Sequence, residues 1–431
     1  MFLKRVAISN LRSIADLKID FTADRGIRRR TVLLGENGCG KSTALRAIAL
    51  ALAGSDALAE LLKEPARWVR TKKSEARIDL TLSTKDAEDR LVSLSLRPEW
   101  KLRDALKHNE EGLRRLDDAL QHTPRNWFVM GYGVTRRPTG SKFASPGRTE
   151  GAYSHPRARG MATMFDTDAT LVSFEQWAMD LDYRGGDEAT GTLRRAMKTL
   201  LPGMAFDHID RKRREVIFKT VDGQVPFQQL SDGYQNVANW CGDVLYRITT
   251  TFEDYKDPLR TRGLLLVDEI DVHLHPVWQR RLMDFLGKAL PNMQIVATSH
   301  SPLIAQQLRE GELYVVERPS PRAGASIRPV AGDPSRLTLT QLLSPVFGIE
   351  TADSVRVQTL RQKARNKPLT AAEKSELADI PVLEELPPSM RAQIRATEEM
   401  AVALAKLTGI EAPKLDPKQL RQRLTKKITL A

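Results

Sequence analysis

Cysteines and long apolar runs are both scarce in this 431-residue chain. Only two cysteines are present, Cys39 and Cys241, which excludes a disulfide-stapled secreted scaffold. The most apolar stretch, residues 44–62, is interrupted by Arg46 and Glu60 and is not expected to cross a bilayer. The amino terminus alternates apolar and charged residues and lacks the apolar core of a signal peptide. These absences favour a cytoplasmic protein with no membrane contact.

Positive charge is in excess. The chain has 67 Lys and Arg against 54 Asp and Glu, which gives a net charge of +13. Such an excess favours polyanionic partners, nucleic acid first, and says nothing about the fold. Hydrophobic residues make up 41%, which is enough for a globular core and excludes a collagen-like or wholly disordered chain.

The apolar pattern predicts an α/β architecture. Alternating or continuous apolar runs predict strands at Leu3–Ile8, Ala15–Phe21, Thr31–Leu34, Arg77–Leu82, Val92–Leu96, Glu215–Thr220 and Gln224–Phe227. Residues 101–120 carry an apolar stripe at helical spacing, and helices are also predicted at 174–181 and 193–201. Residues 136–160, rich in Pro, Gly and Ser, are predicted to form a mobile loop.

A glycine-rich loop follows the predicted strand at residues 31–34. Residues 35–42 match G-x-x-x-x-G-K-[ST] at every position. The glycines let successive backbone N–H groups face phosphate oxygens. Lys41 can reach the β- and γ-phosphates, and Ser42 can ligate Mg²⁺ at the amino terminus of the following helix. A chance glycine-rich turn is the alternative, but the strand–loop–helix setting favours a site for ATP and Mg²⁺.

An acidic pair closes a second apolar strand. The run at residues 264–267 is typical of a strand buried on both faces, and Asp268 and Glu269 follow it. One carboxylate can hold Mg²⁺, and the next can activate the attacking water. Such a pair alone is as often a solvated strand end; beside a phosphate loop it becomes specific. His300 follows the next predicted strand and is expected at the same sheet edge, as a contact for the γ-phosphate.

Two further features have a plain structural alternative. Ser231 suits the N-cap of a helix and Gly233 allows close backbone approach, so this helix start either binds an anion or is simply a cap. His273 and His275 suggest a metal site, but no cysteine or third ligand has suitable spacing. A zinc site is therefore rejected, and these histidines are expected to shape the turn before Pro276.

Taken in order, the motifs resemble those of the ABC-class ATPases. The phosphate loop is followed by a signature segment at Leu230–Gln235, the acidic strand, a D-loop at Asp271 and a switch histidine at His300. Within that class the chain resembles the SMC, RecF and OLD branch, on the evidence of Ile8–Ser13, Val267–Pro276, Thr298–Pro302, and Tyr132-Gly133 with Arg136.

The resemblance covers about residues 1–340 and implies the fold. An ABC-type P-loop NTPase core, a mixed sheet flanked by helices, is expected there, with a helical and loop insertion at about residues 97–205. Residues 341–431 are expected to form a helical carboxy-terminal region with a basic tail. No glutamine can be assigned as the Q-loop residue.

The resemblance also implies a mechanism in which two protomers enclose two ATP molecules head to tail. Glu269 would be the catalytic base, Lys41 and His300 would contact the γ-phosphate, and Ser42 with Asp268 would hold Mg²⁺. Ser231 and Gly233 would reach the nucleotide of the other protomer, and Asp271 would communicate across the dimer. The implied nucleotide-binding set is Gly35, Glu36, Asn37, Gly38, Cys39, Gly40, Lys41, Ser42, Thr43 and Arg12.

The chain further resembles ATPases of prokaryotic anti-phage defence systems of the Septu, retron-linked and PARIS types. Its segment 337–348 matches a pattern often found after their core. Residues 345–431 lack the strand-rich, acidic pattern of a Toprim domain, so no nuclease is expected on this chain, and an HNH or Toprim partner would carry one. The resemblance thus implies a sensor or regulatory scaffold of a nucleic-acid-directed defence complex. A RecF- or SMC-like repair or recombination ATPase is the alternative; a transporter subunit is disfavoured.

Three clusters concentrate much of the positive charge. Each alone is as readily a solvated surface, and the tail cluster could equally dock a protein. Together they predict sequence-independent contact with nucleic acid. Their members are Arg125, Arg136, Arg137, Lys142, Arg148, Arg157 and Arg159; Arg211, Lys212, Arg213 and Arg214; and Lys414, Lys418, Arg421, Arg423, Lys426 and Lys427.

Overall fold

The apolar runs of the sequence form the strands of three main sheets, and the amphipathic segments form helices packed on them. A computed structural model describes residues 2–24, 26–83, 89–122, 128–138, 153–201, 203–221, 223–252, 258–320, 323–347, 354–366 and 368–374. The chain divides into two units, Met1–Ala352 and Asp353–Ala431. All elements before α11 belong to the first unit.

The elements follow in chain order. The strands are β1 (Phe2–Leu11), β2 (Ile14–Asp20), β3 (Thr22–Ala23), β4 (Gly26–Ile27), β5 (Arg30–Leu34), β6 (Ala76–Ser83), β7 (Asp89–Leu96), β8 (Val129–Tyr132), β9 (Ala205–Asp210), β10 (Glu215–Thr220), β11 (Gly223–Pro226), β12 (Gly263–Val267), β13 (Met293–Thr298), β14 (Leu313–Glu317) and β15 (Ser326–Pro329). The helices are α1 (Lys41–Ala51), α2 (Gly54–Leu62), α3 (Leu102–His108), α4 (Glu110–His122), α5 (Pro156–Met161), α6 (Phe174–Leu200), α7 (Asp232–Thr251), α8 (Pro276–Ala289), α9 (Pro302–Ala305), α10 (Leu339–Phe347) and α11 (Val355–Asn366).

The central sheet has the strand order β15-β14-β5-β13-β12-β8. Its pairs are parallel except for β14 with β15. Alternate residues of β12 enter two different cores: Leu264 and Leu266 pack in the core that contains α1, whereas Leu265 and Val267 pack in the core that contains α7. This double burial explains the continuous apolar run. The parallel pairing of β5, β13 and β12 brings their carboxyl ends to one edge.

A second, antiparallel sheet has the order β2-β1-β6-β7 and packs against α1. The turn between β1 and β2 is tight, with Asn10 and Arg12 at φ +52° and +50°. This turn meets the phosphate loop directly, since a Cβ added at Gly40 would lie 2.9 Å from the Ser13 hydroxyl. The β1–β2 turn of this sheet therefore supports the phosphate loop at Gly40.

A third sheet, β11-β10-β9, lies against α6, which also packs on α7. An aromatic cluster joins them, because Phe174 of α6 contacts Phe218 of β10 and the nearby Phe227 at ring distances of 6.0 and 5.3 Å. Helix α6 departs from helical geometry at Gly186, with φ +56° and ψ −143°.

The α/β fold with a mixed sheet flanked by helices is confirmed, and each predicted strand corresponds to an observed one. Strands β3, β4, β8, β9, β14 and β15 were not predicted. In β9 polar and charged residues interrupt the apolar pattern, and Phe206 alone of its side chains is buried. The single helix predicted over residues 101–120 is two helices that meet at Asn109, whose amide bonds the Ala105 and Ser95 carbonyls.

The mobile loop predicted for residues 136–160 is wrong in part. Residues 156–160 belong to helix α5, which begins with Pro156 and is capped by the His155 ring accepting from the Arg157 amide. Residues 139–152 lie outside the described part, as do residues 375–431, on which the predicted basic tail falls. Among the described helices, none is long and apolar enough to span a membrane.

A buried carboxylate joins three segments of the fold. Asp243 of α7 is fully buried and accepts hydrogen bonds from the Tyr132 hydroxyl at 2.7 Å, the Val172 amide at 2.9 Å and Arg247 Nε at 2.7 Å. Burial, followed by the Asp243 charge, holds the pKa of Tyr132 well above its usual value. The network fixes the end of β8 against α7.

Replacing Asp243 by Ala is expected to lower the free energy of unfolding by about 3–5 kcal/mol, because Arg247 would keep a buried charge without a partner. The matched control is Asp284→Ala, which removes an exposed ion pair with Lys288 and should cost about 0.5 kcal/mol or less. Chemical denaturation measures both. Equal losses in the two variants would contradict this account.

Candidate functional site

The phosphate loop connects β5 to α1 at the carboxyl edge of the central sheet. Gly35 has φ +146°, and a Cβ there would lie 2.2 Å from the Val316 carbonyl oxygen, so no side chain fits. Gly40 is the N-cap of α1 in the left-handed region, with φ +111°. Of the predicted loop residues, Glu36 and Asn37 are exposed, whereas Cys39 is buried.

Lys41 is folded over its own loop. Its ammonium is buried and donates to the Gly35 and Glu36 carbonyl oxygens at 2.8 and 2.9 Å. Burial lowers the pKa of Lys41, and the nearby Cys39 and Asp268 counteract part of that effect. Phosphate oxygens can replace these carbonyl oxygens as acceptors. The ammonium would then be paired with a negatively charged group in place of two neutral ones.

Ser42 and Asp268 meet as the motif predicts. The Ser42 hydroxyl donates to Asp268 Oδ1 at 3.0 Å, across the edges of α1 and β12. The same carboxylate oxygen accepts from the Thr298 hydroxyl at 2.6 Å, at the end of β13. A hydroxyl and a buried carboxylate are hard oxygen ligands, so this pair fits Mg²⁺. Thr298 was not assigned a role from the sequence, although it lies in the run Thr298–Pro302 that carried the resemblance.

Glu269 has a left-handed backbone conformation that non-glycine residues seldom adopt, with φ +46°. Two hydrogen bonds hold the turn, since the Glu269 amide donates to the Thr298 hydroxyl at 2.7 Å and the Ile270 amide to the Thr298 carbonyl at 2.9 Å. The surrounding structure thus fixes an unfavourable geometry at the predicted base.

Arg136 secures the same turn from the other side. Its guanidinium is buried and donates to the carbonyl oxygens of Gly133 at 3.0 Å and Glu269 at 2.8 Å, and also to that of Asp268. Burial lowers the pKa of Arg136 to about 10, against the raising effect of Asp268. The Tyr-Gly-x-x-Arg pattern marked Arg136 in the sequence, but it did not predict which groups the arginine contacts.

This burial removes Arg136 from the basic surface that was predicted within residues 125–159. Arg136 is inside the protein, and Arg157 donates to the Ala53 carbonyl beside Asp117. In the second predicted cluster Arg211 is paired with Asp182 at 2.7 Å. Arg125, Lys142 and Arg148 lie outside the described residues, whereas Arg137, Arg159 and residues 211–214 are exposed. Contact of these exposed residues with nucleic acid stays a prediction.

His300 faces the phosphate loop across a cavity of about 880 Å³. The cavity is lined by residues 35–39, His300, residues 315–320, Arg328, Val346 and Phe347. The buried Nε2 of His300 has no hydrogen-bond partner in the described structure, and neither has the buried Oδ1 of Asp271. Such orphaned polar atoms beside a phosphate loop suit a ligand that completes them.

The signature residues lie at the start of α7. Ser231 is the N-cap, yet its exposed hydroxyl makes no capping hydrogen bond. Gly233 packs on the turn after Asp271, since a Cβ there would lie 2.9 Å from the His273 carbonyl oxygen. Neither Ser231 nor Gly233 is among the described residues that line the cavity.

The remaining predicted residues flank the loop or the acidic turn. Thr43 is half-buried on α1, and Arg12 stacks on Trp68 with its guanidinium 3.8 Å from the ring centre. His275 caps α8 by accepting from the Val277 amide at 3.3 Å, which is the turn-shaping role expected of it. Within the described residues, no three His, Cys, Asp or Glu side chains are grouped closely enough to hold a metal ion.

Gln279 is a further residue that the sequence did not single out. Its side-chain nitrogen donates to the Leu274 carbonyl at 3.0 Å, and its oxygen accepts from the Ser301 hydroxyl at 2.6 Å. It therefore ties the D-loop turn to the segment that carries His300.

Two family models match the chain. Residues 5–125, which include the phosphate loop, match a family described as "AAA domain". Residues 179–305, which include the signature, the acidic strand and His300, match one described as "AAA domain, putative AbiEii toxin, Type IV TA system".

Several curated proteins are similar in sequence. The Septu protein PtuA of Bacillus mycoides (strain KBAB4) is 28% identical over 317 residues, which cover 73% of this chain and 40% of that protein. The Retron Ec83 probable ATPase of Escherichia coli is 28% identical over 135 residues, 31% of this chain and 25% of that protein. The chain thus spans less than half the length of these relatives.

Among solved structures, the SMC head domain from Thermotoga maritima gives a TM-score of 0.44 at 15% identity, covering 77% of this chain and 99% of that one. The ordered motifs at one sheet edge, the two AAA-domain matches and the Septu and retron relatives together show that the chain is similar to AAA ATPases, among them the Septu PtuA and retron ATPases.

Proposed function

We propose that the chain hydrolyses ATP between two copies of itself, and that this cycle makes it the sensor or regulatory scaffold of a nucleic-acid-directed anti-phage complex. An effector nuclease, of the HNH or Toprim class, would be carried by a partner chain. The defence role and the partner rest on the sequence similarity to Septu and retron ATPases.

One observation carries the ATPase part of the proposal. The hydroxyls of Ser42 and Thr298 both donate to the same carboxylate oxygen of Asp268, and Glu269 follows Asp268 in the chain. In this arrangement Ser42 and Asp268 would hold Mg²⁺, which would supply positive charge to the phosphates. Lys41 turns from its loop carbonyls to the phosphates, and Glu269 orients and deprotonates the attacking water. His300 offers its unpartnered Nε2 to the γ-phosphate.

The position of the signature supports a site completed by a second copy. The Ser231 hydroxyl is exposed and unused by its own helix, and the described cavity beside the phosphate loop does not include it. A two-fold pair of protomers would place each Ser231 and Gly233 over the partner's nucleotide, where the amino terminus of α7 also faces the phosphates. Asp271, whose Oδ1 is unpartnered, precedes by two residues His273, whose carbonyl oxygen meets Gly233, and would relay this contact.

A RecF- or SMC-like role in DNA repair would use the same ATPase core. Co-purification of the full chain with the products of neighbouring genes separates the two roles, because the defence proposal requires a nuclease in the complex. Recovery of recombination factors in place of a nuclease would favour the repair role.

Substituting Glu269 by Gln should leave ATP affinity within about threefold and lower turnover at least about 100-fold, because the base is lost while the phosphate contacts remain. ATP should hold this variant as a dimer in light-scattering measurements. Turnover equal to that of the wild type would refute the assignment of the base.

Mixing two inactive variants tests the shared site. Lys41→Ala and Ser231→Arg each disable both sites of their own dimer, but a mixed dimer contains one site with neither change. Up to about a quarter of wild-type turnover should return in an equimolar mixture, since half the dimers are mixed and half their sites are intact. A mixture of Lys41→Ala with Glu269→Gln is the control and should stay inactive, because both changes affect the same protomer's half of a site. No recovery despite mixed dimers would argue against completion in trans.

Replacing Arg136 by Met should lower turnover about 100-fold and leave ATP affinity nearly unchanged, because the Glu269 turn loses two carbonyl contacts and the base shifts. Arg136→Lys should recover part of the turnover. Steady-state kinetics with separate ATP-binding measurements check this, with Arg103→Met, an exposed change on α3, as the control. Parallel losses of turnover and affinity would instead indicate general damage to the site.

A further inference from the structure

Two arginines beside the phosphate loop lack anionic partners. Arg12 lies in the turn between β1 and β2, and Arg46 lies on α1. Their positive charges act on each other: burial lowers the pKa of Arg12, and the charges of Arg46 and then Arg67 lower it further. Among the described residues, no carboxylate forms an ion pair or hydrogen bond with Arg12 or Arg46.

Arg12 is fixed in place. Its amide donates to the Trp68 carbonyl at 2.9 Å, its Nε donates to the Arg67 carbonyl at 3.3 Å, and its guanidinium stacks on the buried Trp68 ring at 3.8 Å. These contacts use one guanidinium N–H and one face of the group. The other N–H donors of Arg12 remain available for a ligand.

Arg46 lies on the face of α1 that carries the candidate magnesium ligand. Every residue of this helix is buried except Ser42, Thr43 and Arg46. Positions three and four apart share one helix face, so Arg46 lies one turn, about 6 Å along the axis, beyond Ser42. Its Nε is buried and has no hydrogen-bond partner in the described structure. A buried N–H donor without an acceptor lowers the stability of the fold, and a ligand that accepts its hydrogen bond would remove this cost.

We infer that Arg12 and Arg46 together form a phosphate-binding site contiguous with the phosphate loop, with Arg46 as a binding residue additional to those the family resemblance implies. Paired guanidinium groups favour phosphate because its oxygens accept several N–H donors at once and cancel the repulsion between the two cations. The phosphate belongs either to the nucleotide on residues 35–43 or to the backbone of a nucleic acid that crosses this face. The nucleotide source rests on the proposed ATPase function, whereas the nucleic-acid source does not.

The test uses the full chain with Arg46→Gln. A second variant, Arg46→Lys, keeps the positive charge but loses the planar set of guanidinium N–H donors. One arm measures the affinity for ATP with Mg²⁺. The other measures the affinity for a short DNA duplex across a salt series. Arg103→Gln removes an equal charge from an exposed position on α3 and should match the wild type in both arms.

If the phosphate is that of the nucleotide, Arg46→Gln should weaken ATP binding by at least about tenfold and leave DNA binding unchanged. If it is a backbone phosphate, DNA affinity should fall and the salt slope should decrease by about one, with ATP binding unchanged. In either case Arg46→Lys should show a smaller loss in the same arm. Wild-type affinity of Arg46→Gln in both arms would overturn the inference.

Thermal unfolding without ligand separates binding from a structural role. Arg46→Gln should melt at the same or a higher temperature than the wild type, because it removes repulsion with Arg12 and an unsatisfied donor. A lower melting temperature with both affinities intact would mean that Arg46 only supports packing. If the wild type binds no ATP, the proposed ATPase function fails, while the DNA arm still decides whether the arginine pair binds phosphate.

Discussion

The hydroxyl of Thr298 is the contact on which the acidic edge depends. It donates to Asp268 Oδ1 at 2.6 Å and accepts the Glu269 amide at 2.7 Å, so one group fixes both carboxylate residues. Asp268 Oδ1 in turn accepts from Ser42, which joins the ends of β12 and β13 to the start of α1. Because parallel strands end at the same edge, a short hydroxyl at the end of β13 can reach across to β12.

Glu269 shows how strain and support are distributed at this edge. A left-handed conformation at a glutamate is unfavourable by itself and persists only where neighbours over-determine it. Thr298 supplies this constraint from one side and Arg136 from the other. Arg136 also bonds the Gly133 carbonyl after β8, and Tyr132 of that strand bonds Asp243 of α7. The helix that begins at the signature is thus connected through β8 to the residue proposed as the base.

The sequence predicted those parts of the site whose chemistry is local. The phosphate loop needs only glycines at fixed offsets between a strand and a helix, and the acidic pair needs only a buried strand before it. Strand β9 was missed because it lacks an apolar pattern of its own and is held as a strand by its antiparallel pairing with β10. The first basic cluster mixes exposed and occupied arginines, because a count of arginines carries no information about burial: Arg136 and Arg157 form hydrogen bonds within the fold.

The sequence alone predicted the class of chemistry, phosphoryl transfer, since Gly35–Ser42, Asp268, Glu269 and His300 occur in the order and spacing of the ABC-class motifs. Tertiary structure alone decided which cations are available to a ligand and which are structural. Arg136 is 132 positions from Asp268 in the chain, yet it donates a hydrogen bond to the Asp268 carbonyl, and Arg12 is 34 positions from Arg46, yet the charge of Arg46 lowers the pKa of Arg12. Contacts at such separations depend on strand register and helix packing, which local residue patterns do not encode. For that reason the sequence does not distinguish a buried structural arginine such as Arg136 from arginines without anionic partners among the described residues, such as Arg12 and Arg46.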